Sequence, residues 1–537
     1  ISIIPTISTF PYHEDFNTSN GGWFAEGINV SIQYNEPGSI WNKSGGDLAW
    51  YSQSNSKNME GGYNPQELSY LNGPCFDLSG MYKPMVEFDA GVVTKSKLDG
   101  LTLQYSTDDG NIWRPLGNIG SGINWFNALN IVSDPGEQLR FLDSISLYTP
   151  TRRPQPQIGW TGSPGGGNVQ NIRQILDEVK STNKVRVRFA FASTEDSLYK
   201  GKGIMIDNFK INERTKMVLL ENFVNTQDTA SSTASITIDN VINKFKEDLA
   251  GIQYHTSFPD SDPFNTENPA DPSSRVLFYG VENVPRAVLD GGIRPGRPDL
   301  SIKDIDIYRE ALKTPEFYID INASTVSSTL NFDVTFSATK ERDDNSSLVA
   351  YIAVVERDVQ GVTGANGKSN FESVLRRMYP SAAGEIMNGR WQVGEQKKLS
   401  GNWTFTSSKV NDQTKLGLVA FIQDRISKQV LQSAYFGYKQ GLFTSINDQS
   451  DNKFSHTLTI YPNPAENVIN VASDIPLSTN LNWELTDQLG KVLGIGKFLV
   501  GMTEGKIDVS NICAGIYHLN FVSPSGFKYY KKISIIK

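Results

Sequence analysis

Cysteine is nearly missing from this chain: Cys75 and Cys513 are the two in 537 residues, and they fall in segments that read as different domains. A disulfide-dense scaffold is thereby excluded, so large hydrophobic cores have to hold the fold. Histidine is almost as scarce. His13, His255, His456 and His518 lie in four separate segments, and none has a second ligand at metal spacing. No run of eighteen apolar residues occurs, which excludes a spanning helix. Positive charge is not in excess either, with 50 basic against 58 acidic side chains and a net charge of -8. No Lys/Arg cluster stands out, so a nucleic-acid backbone is not the expected partner. G-x-S-x-G, H-E-x-x-H and nucleotide-binding glycine loops are all absent. The stretch Ser163 to Asn168, S-P-G-G-G-N, lacks the lysine and preceding strand of a phosphate loop and reads as a surface loop. The first ten residues, I-S-I-I-P-T-I-S-T-F, lack the basic and apolar regions of a signal peptide, and the expectation is that numbering begins after signal removal.

What is present is β texture. Hydrophobic residues make up 38% and charged residues 20%, a globular balance. The length implies about three or four domains, because single cores rarely exceed roughly 250 residues. Residues 1–213 hold Trp23, Trp41, Trp50, Trp113, Trp125 and Trp160 and strands such as Val185-Arg186-Val187-Arg188-Phe189-Ala190-Phe191. Alternation there puts the apolar side chains on one face and the arginines on the other, as in a sheet packed on one side. Asp108-Asp109-Gly110-Asn111 reads as a hairpin turn. With P-Y-H-E-D-F in front and G-I-M-I-D-N-F-K-I behind, the segment resembles MAM-like jelly-roll modules, whose first and last strands lie close in space. Glu14, Asp15 and Asp207 are then a candidate structural calcium site, since hard carboxylate oxygens suit that ion. Trp23, Trp41, Trp50 and Tyr51 are candidates for stacking on sugars or protein, with core packing the commoner fate. Asp143-Ser144-Ile145, Asp196-Ser197-Leu198 and Asp228-Thr229-Ala230 resemble an O-glycan acceptor triplet.

From Lys216 the texture changes. M-V-L-L-E-N-F is a continuous apolar strand, followed by helical spacing of Ile236, Ile238, Val241, Ile242, Phe245 and Leu249, then the strand G-I-Q-Y-H and V-P-R-A-V-L-D-G-G. Residues 214–313 thus resemble a thioredoxin fold, with Pro285 at the cis-proline position. Where that fold carries Cys-x-x-Cys this chain has Asp228 and Ser231, so the resemblance implies a catalytically silent scaffold. Residues 314–440 return to alternating strands that resemble an immunoglobulin-like sandwich, interrupted by an expected short helix at 370–378. The pair resembles a family of Bacteroidota outer-surface proteins. Residues 441–454 are polar and read as a linker.

The tail, 455–537, is the most informative part. Tyr461-Pro462-Asn463-Pro464 precedes Val468-Ile469-Asn470-Val471; an Asp487-to-Gly490 turn, the step Gly515-Ile516-Tyr517 and the pair Lys531-Lys532 follow in order. Period-two alternation and turn residues between the runs predict a small β-sandwich. The ordered motifs resemble the type A C-terminal sorting domain of type IX secretion cargo of the Bacteroidota. The resemblance implies export through periplasm and outer membrane to the cell surface or medium, with the outer-membrane translocon and its shuttle barrel as partners. The fold expected is multidomain and mainly β: jelly roll, thioredoxin-like α/β domain without Cys-x-x-Cys, immunoglobulin-like sandwich and terminal sandwich. The function expected is non-enzymatic: no cofactor beyond the calcium candidate, no membrane span, and upstream domains that adhere to surface glycans or other surface proteins. The alternatives are a retained subunit of the secretion or gliding machinery, and a hydrolase with dispersed carboxylates.

Overall fold

The computed structural model describes residues 6–29, 41–44, 49–52, 63–138, 157–195, 202–294, 296–343, 347–387, 389–406, 409–437, 458–473, 481–487, 491–499, 502–522 and 528–536. The expected linker, Gly490 and the triplets beginning at Asp143 and Asp196 lie outside the described residues, as do the side chains of Trp41, Tyr51 and Lys532. The chain forms two compact units, one of Ile1–Ile321, Ser346–Asn388 and Phe405–Gly437, the other of Asn322–Asn345, Gly389–Thr404 and Tyr438–Lys537.

The first unit begins with two sheets around one core. Glu67–Phe76, Val185–Ala192 and Gly100–Ser106 run side by side in one sheet; Gln170–Ile175, Pro84–Val93 and Gly203–Glu213 do so in the other. Val185, Val187, Phe189 and Phe191 point into the shared core. Arg188 lies on the opposite face, its guanidinium 4.1 Å from the Tyr70 ring centroid and 4.2 Å from that of Trp113. The early strand Tyr12–Glu14 pairs with Gly203–Glu213, Glu14 opposite Phe209, so the front and back motifs do meet. Trp23 and Trp50 are buried in this core, Trp23 against Phe209 at 4.7 Å between ring centroids. Their apolar area is buried in the core, the commoner of the two fates expected for them, and the stacking role does not hold for these two rings.

The rest of the first unit is a nine-stranded sheet. β1 (Val218–Val224), α1 (Thr229–Lys244) and β2 (Leu249–His255) form a parallel βαβ unit, and β3 (Arg286–Leu289) pairs antiparallel with β1. Every residue of β1 and β2 is buried, as a strand covered on both faces requires. On one face Val218 and Leu220 pack against Ile238 and Ile242 of α1. On the other, Leu219, Phe223, Ile252 and Tyr254 meet α2 (Ala270–Tyr279). α2 ends at Gly280, whose φ of 70° is the left-handed cap that glycine adopts freely. It carries a buried charge onto the sheet: Arg275 Nη2 and Nε donate to Glu221 Oε1 at 2.6 and 3.0 Å, and Tyr279 donates to Glu221 Oε2 at 2.6 Å.

The sheet does not stop at the expected 313/314 boundary. From β4 (Gly292–Ile293) through β3, β1 and β2 it continues into β6 (Val374–Tyr379), β5 (Leu348–Glu356), β7 (Leu416–Asp424) and β8 (Val430–Phe436). The join is at Gln253, opposite Val374, whose amide donates to the Ser373 carbonyl at 2.8 Å. A parallel edge strand exposes unpaired amides, and the start of β6 satisfies the one at Gln253. β6 also overturns the expected helix at 370–378. Leu, Arg and Met favour helix weakly, but pairing with β5 along one edge and β2 at the other overrides that preference. α1 needs a correction too: Ile236 is exposed and Leu249 opens β2, while Ser231, Ser232 and Ser235 occupy the buried face.

Arg214, just past the last strand of the first sandwich, ties these parts together. It is buried and donates to Asp177 at 2.8 and 3.0 Å and to Asp248 at 3.0 and 2.7 Å. In the second unit Thr329–Ala338 pairs with Gln396–Thr404, burying Leu330, Phe332, Val334 and Phe336 on one face. The remainder of that unit is the tail.

Candidate functional site: the terminal sandwich

The tail has two sheets. One runs β9 (Leu458–Tyr461), β10 (Val468–Ser473), β13 (Glu504–Asp508); the other runs β12 (Val492–Phe498), β11 (Leu481–Thr486), β14 (Gly515–Val522), β15 (Lys528–Ile535). Alternate residues, among them Ile469, Val471, Leu485, Leu519, Phe521, Ile533 and Ile535, share one core. Burying each is worth about 1.5–3 kcal/mol, which makes the register of every strand specific.

The expected signal residues fall into two groups. The opening motif and the terminal strand are brought together. Asn463 Oδ1 accepts from the Ser534 amide at 2.8 Å, the Ala465 amide donates to the Ser534 carbonyl at 2.8 Å, and the Ile536 amide donates to the Ala465 carbonyl at 2.8 Å. Pro462 and Pro464 flank Asn463, both after cis peptide bonds, and Tyr461 stays exposed. The backbone beyond β9 thus seals the end of β15, satisfying amides that an edge strand would leave open. Lys531 lies on this edge strand and is exposed. The second group closes local turns. The Asp487 amide donates to the Lys491 carbonyl and the Lys491 amide to Asp487 Oδ1, both at 2.9 Å. Tyr517 donates to the Cys513 carbonyl at 2.7 Å, and a Cβ at Gly515 would lie 3.2 Å from its hydroxyl, so glycine gives the ring room. Ala465 and Ser534 were not singled out from sequence. Their signal is weak: a small residue after the second proline, and one polar residue in an apolar run.

The other sequence candidates are elsewhere. Asp228 caps α1, Oδ2 accepting from the Ser231 amide at 2.7 Å, so the pair that stands for Cys-x-x-Cys serves as a helix cap. The Val284-Pro285 bond is cis. Beneath the first half of α1 lies a polar layer of Ser231, Ser232, Asn222, Gln253 and His255, with Asn222 opposite Gln253 across β1 and β2. His255 Nδ1 is 2.9 Å from Asp262 Oδ2. Burial works against the Asp262 charge, but His255 and the Thr226 amide hold its carboxyl below the usual range. No thiol is in this layer, so disulfide exchange has no nucleophile here. Of the calcium candidates, Glu14 accepts from the Phe16 amide and Ser19 Oγ at 3.0 and 2.9 Å, Asp15 from the Asn17 amide at 3.0 Å, and Asp207 from the Asn208 amide at 2.7 Å. Among the described residues no group of three or more His, Cys, Asp or Glu side chains is placed to hold a metal ion.

Residues 459–537 match the family described as Secretion system C-terminal sorting domain. The tail is a sorting domain. The sorting domain marks its chain as type IX secretion cargo, bound for the cell surface or extracellular space. No helix among the described residues is long and apolar enough to cross a membrane. No curated protein matches the chain. Among solved structures, HBP35 of Porphyromonas gingivalis is similar at 11% identity, covering 60% of this chain and 98% of that one with a TM-score of 0.34. The K1 cleaved adhesin domain of Lys-gingipain from P. gingivalis W83 is similar at 13% identity, covering 38% and 100%, with a TM-score of 0.20. The assignment of the tail rests on its own match.

Proposed function

We propose that the sorting domain is read as a folded tag by the outer-membrane translocon and its shuttle barrel, and that the domains ahead of it bind without catalysing. The observation that carries the first half is the match of 459–537 to a sorting-domain family. In support, the first and last motifs of the tail are hydrogen-bonded to each other, so a reader of folded shape meets both at once. The second half is supported by the helix-capping role of Asp228 where a redox fold needs a thiolate. On the surface the upstream sandwich and nine-stranded sheet act as an adhesive or ligand-binding scaffold toward glycans or other surface proteins.

Secretion from a type IX-competent cell tests the tag. A chain ending at residue 457 is expected to remain in the periplasm while the intact chain reaches the exterior. Equal export of the two would end the proposal. Pull-down of the surface form against glycans and surface proteins, beside hydrolase assays on the same preparation, tests the binding half. Turnover that disappears with one carboxylate substitution would replace binding by catalysis.

A further inference from the structure

Lys216 and Asp290 face each other across the edge of the first unit's sheet. Their side chains are 3% and 4% exposed, and Lys216 Nζ lies 2.8 Å from Asp290 Oδ2. Two buried charges this close normally form a well-aligned hydrogen bond, because only excellent geometry offsets their desolvation. Here the distance is short but the angles between Lys216 Nζ and Asp290 Oδ2 fall outside those of a well-formed hydrogen bond. Lys216 Nζ instead directs hydrogens to the carbonyls of Met217 and Val430, each at 3.3 Å. With two positions on nitrogen taken by those carbonyls, the third faces the carboxyl group.

Asp290 is held rigidly for such an encounter. Its amide donates to the Leu219 carbonyl at 2.8 Å, its carbonyl accepts from the Val430 amide at 3.1 Å, and Oδ1 accepts from the Leu219 amide at 2.8 Å. Its φ of 46° places a non-glycine residue in the left-handed region, a strained conformation that the surrounding sheet maintains. Burial raises the pKa of this carboxyl, with Lys216 pulling the other way. A fixed amine against a fixed, desolvated carboxyl is the arrangement in which proximity replaces a bimolecular encounter.

We propose that Lys216 and Asp290 condense to an intramolecular isopeptide bond. The ammonium first passes one proton to Oδ2; the lone pair so freed on Nζ bonds to Cγ, the Cγ–Oδ2 bond breaks, and Oδ2 leaves as water with that proton and a second hydrogen from Nζ. Both charges vanish together, and no oxidant, reductant or second substrate is consumed. The product staples the start of β1 to the end of β3 and closes the chain between them, which contains α1, β2 and α2. For a cargo that functions outside the cell, where cysteine pairing is not used, this is a covalent brace of the same topological kind as a disulfide.

Mass mapping of the purified full chain after digestion decides the matter. The expected result is one branched peptide joining the segments that carry Lys216 and Asp290, lighter than their sum by one water. In Lys216→Arg, which keeps the positive charge and cannot condense, the two segments are expected to separate at their full masses. Cleavage between them under denaturing conditions should leave the wild-type chain in one piece and the variant in two. Recovery of both wild-type peptides unlinked at their full masses would overturn the proposal, and that reading needs no variant to fold.

Discussion

At Glu67 the carboxyl is buried, and burial, opposed by the Ser69 hydroxyl and the Asn64 backbone, pushes its pKa up to about 7. An acid whose native pKa is raised holds its proton longer folded than unfolded, so stability falls as pH rises from its ordinary value toward 7. The slope from this one group is at most about 1.4 kcal/mol per pH unit. Glu67→Gln is expected to abolish that part of the slope, and denaturant titrations between pH 4.5 and 7 should show wild type and variant diverging. A parallel pair of curves would refute it. Asn463 is a second single-residue test. Asn463→Ala removes the acceptor for the Ser534 amide, at a cost of about 0.5–1.5 kcal/mol, and hydrogen exchange at Ser534 should quicken selectively.

Between elements, the joint of α2 with β1 turns on Arg275. Glu221 loses its counter-charge in Arg275→Met, and a buried carboxylate left alone costs about 3–5 kcal/mol. Adding Glu221→Gln to that variant is expected to restore much of the loss, measured by urea unfolding. If the single variant matches wild type, the pair is not a stability determinant. This joint could not be read from sequence, because Glu221 sits in a run that signals only a buried strand and Arg275 lies between two expected strands in a stretch for which no helix was expected. β6 was misread for a related reason: residues 370–378 are locally ambiguous, and their partners β5 and β2 come from distant segments. The strands of the tail, by contrast, were legible, since alternation and turn residues act within a few positions. So was the second half of α1, from Ile236 on, but not the first, because serines there replace the apolar side chains that periodicity counts.

At the scale of the molecule, two compact units imply more than one cooperative transition. Calorimetry is expected to resolve them, Asn463→Ala moving the transition of the unit that holds the tail and Arg275→Met that of the other. A single transition shifted equally by both would contradict this. The order of motifs from Tyr461 to Lys532 was sufficient to identify the tail as a sorting domain, because each motif is a local device: prolines that stiffen an entry, an Asp that closes a turn, a glycine that clears a ring. Scarce cysteine likewise foretold that hydrophobic cores hold the fold. Tertiary structure alone decided that Asn463 meets Ser534, that the nine-stranded sheet runs through the expected 313/314 boundary, that Trp23 and Trp50 lie in the core, and that Lys216 faces Asp290. Those outcomes depend on pairing and burial between residues far apart in the chain, where the free energy of contact is not encoded in any local pattern.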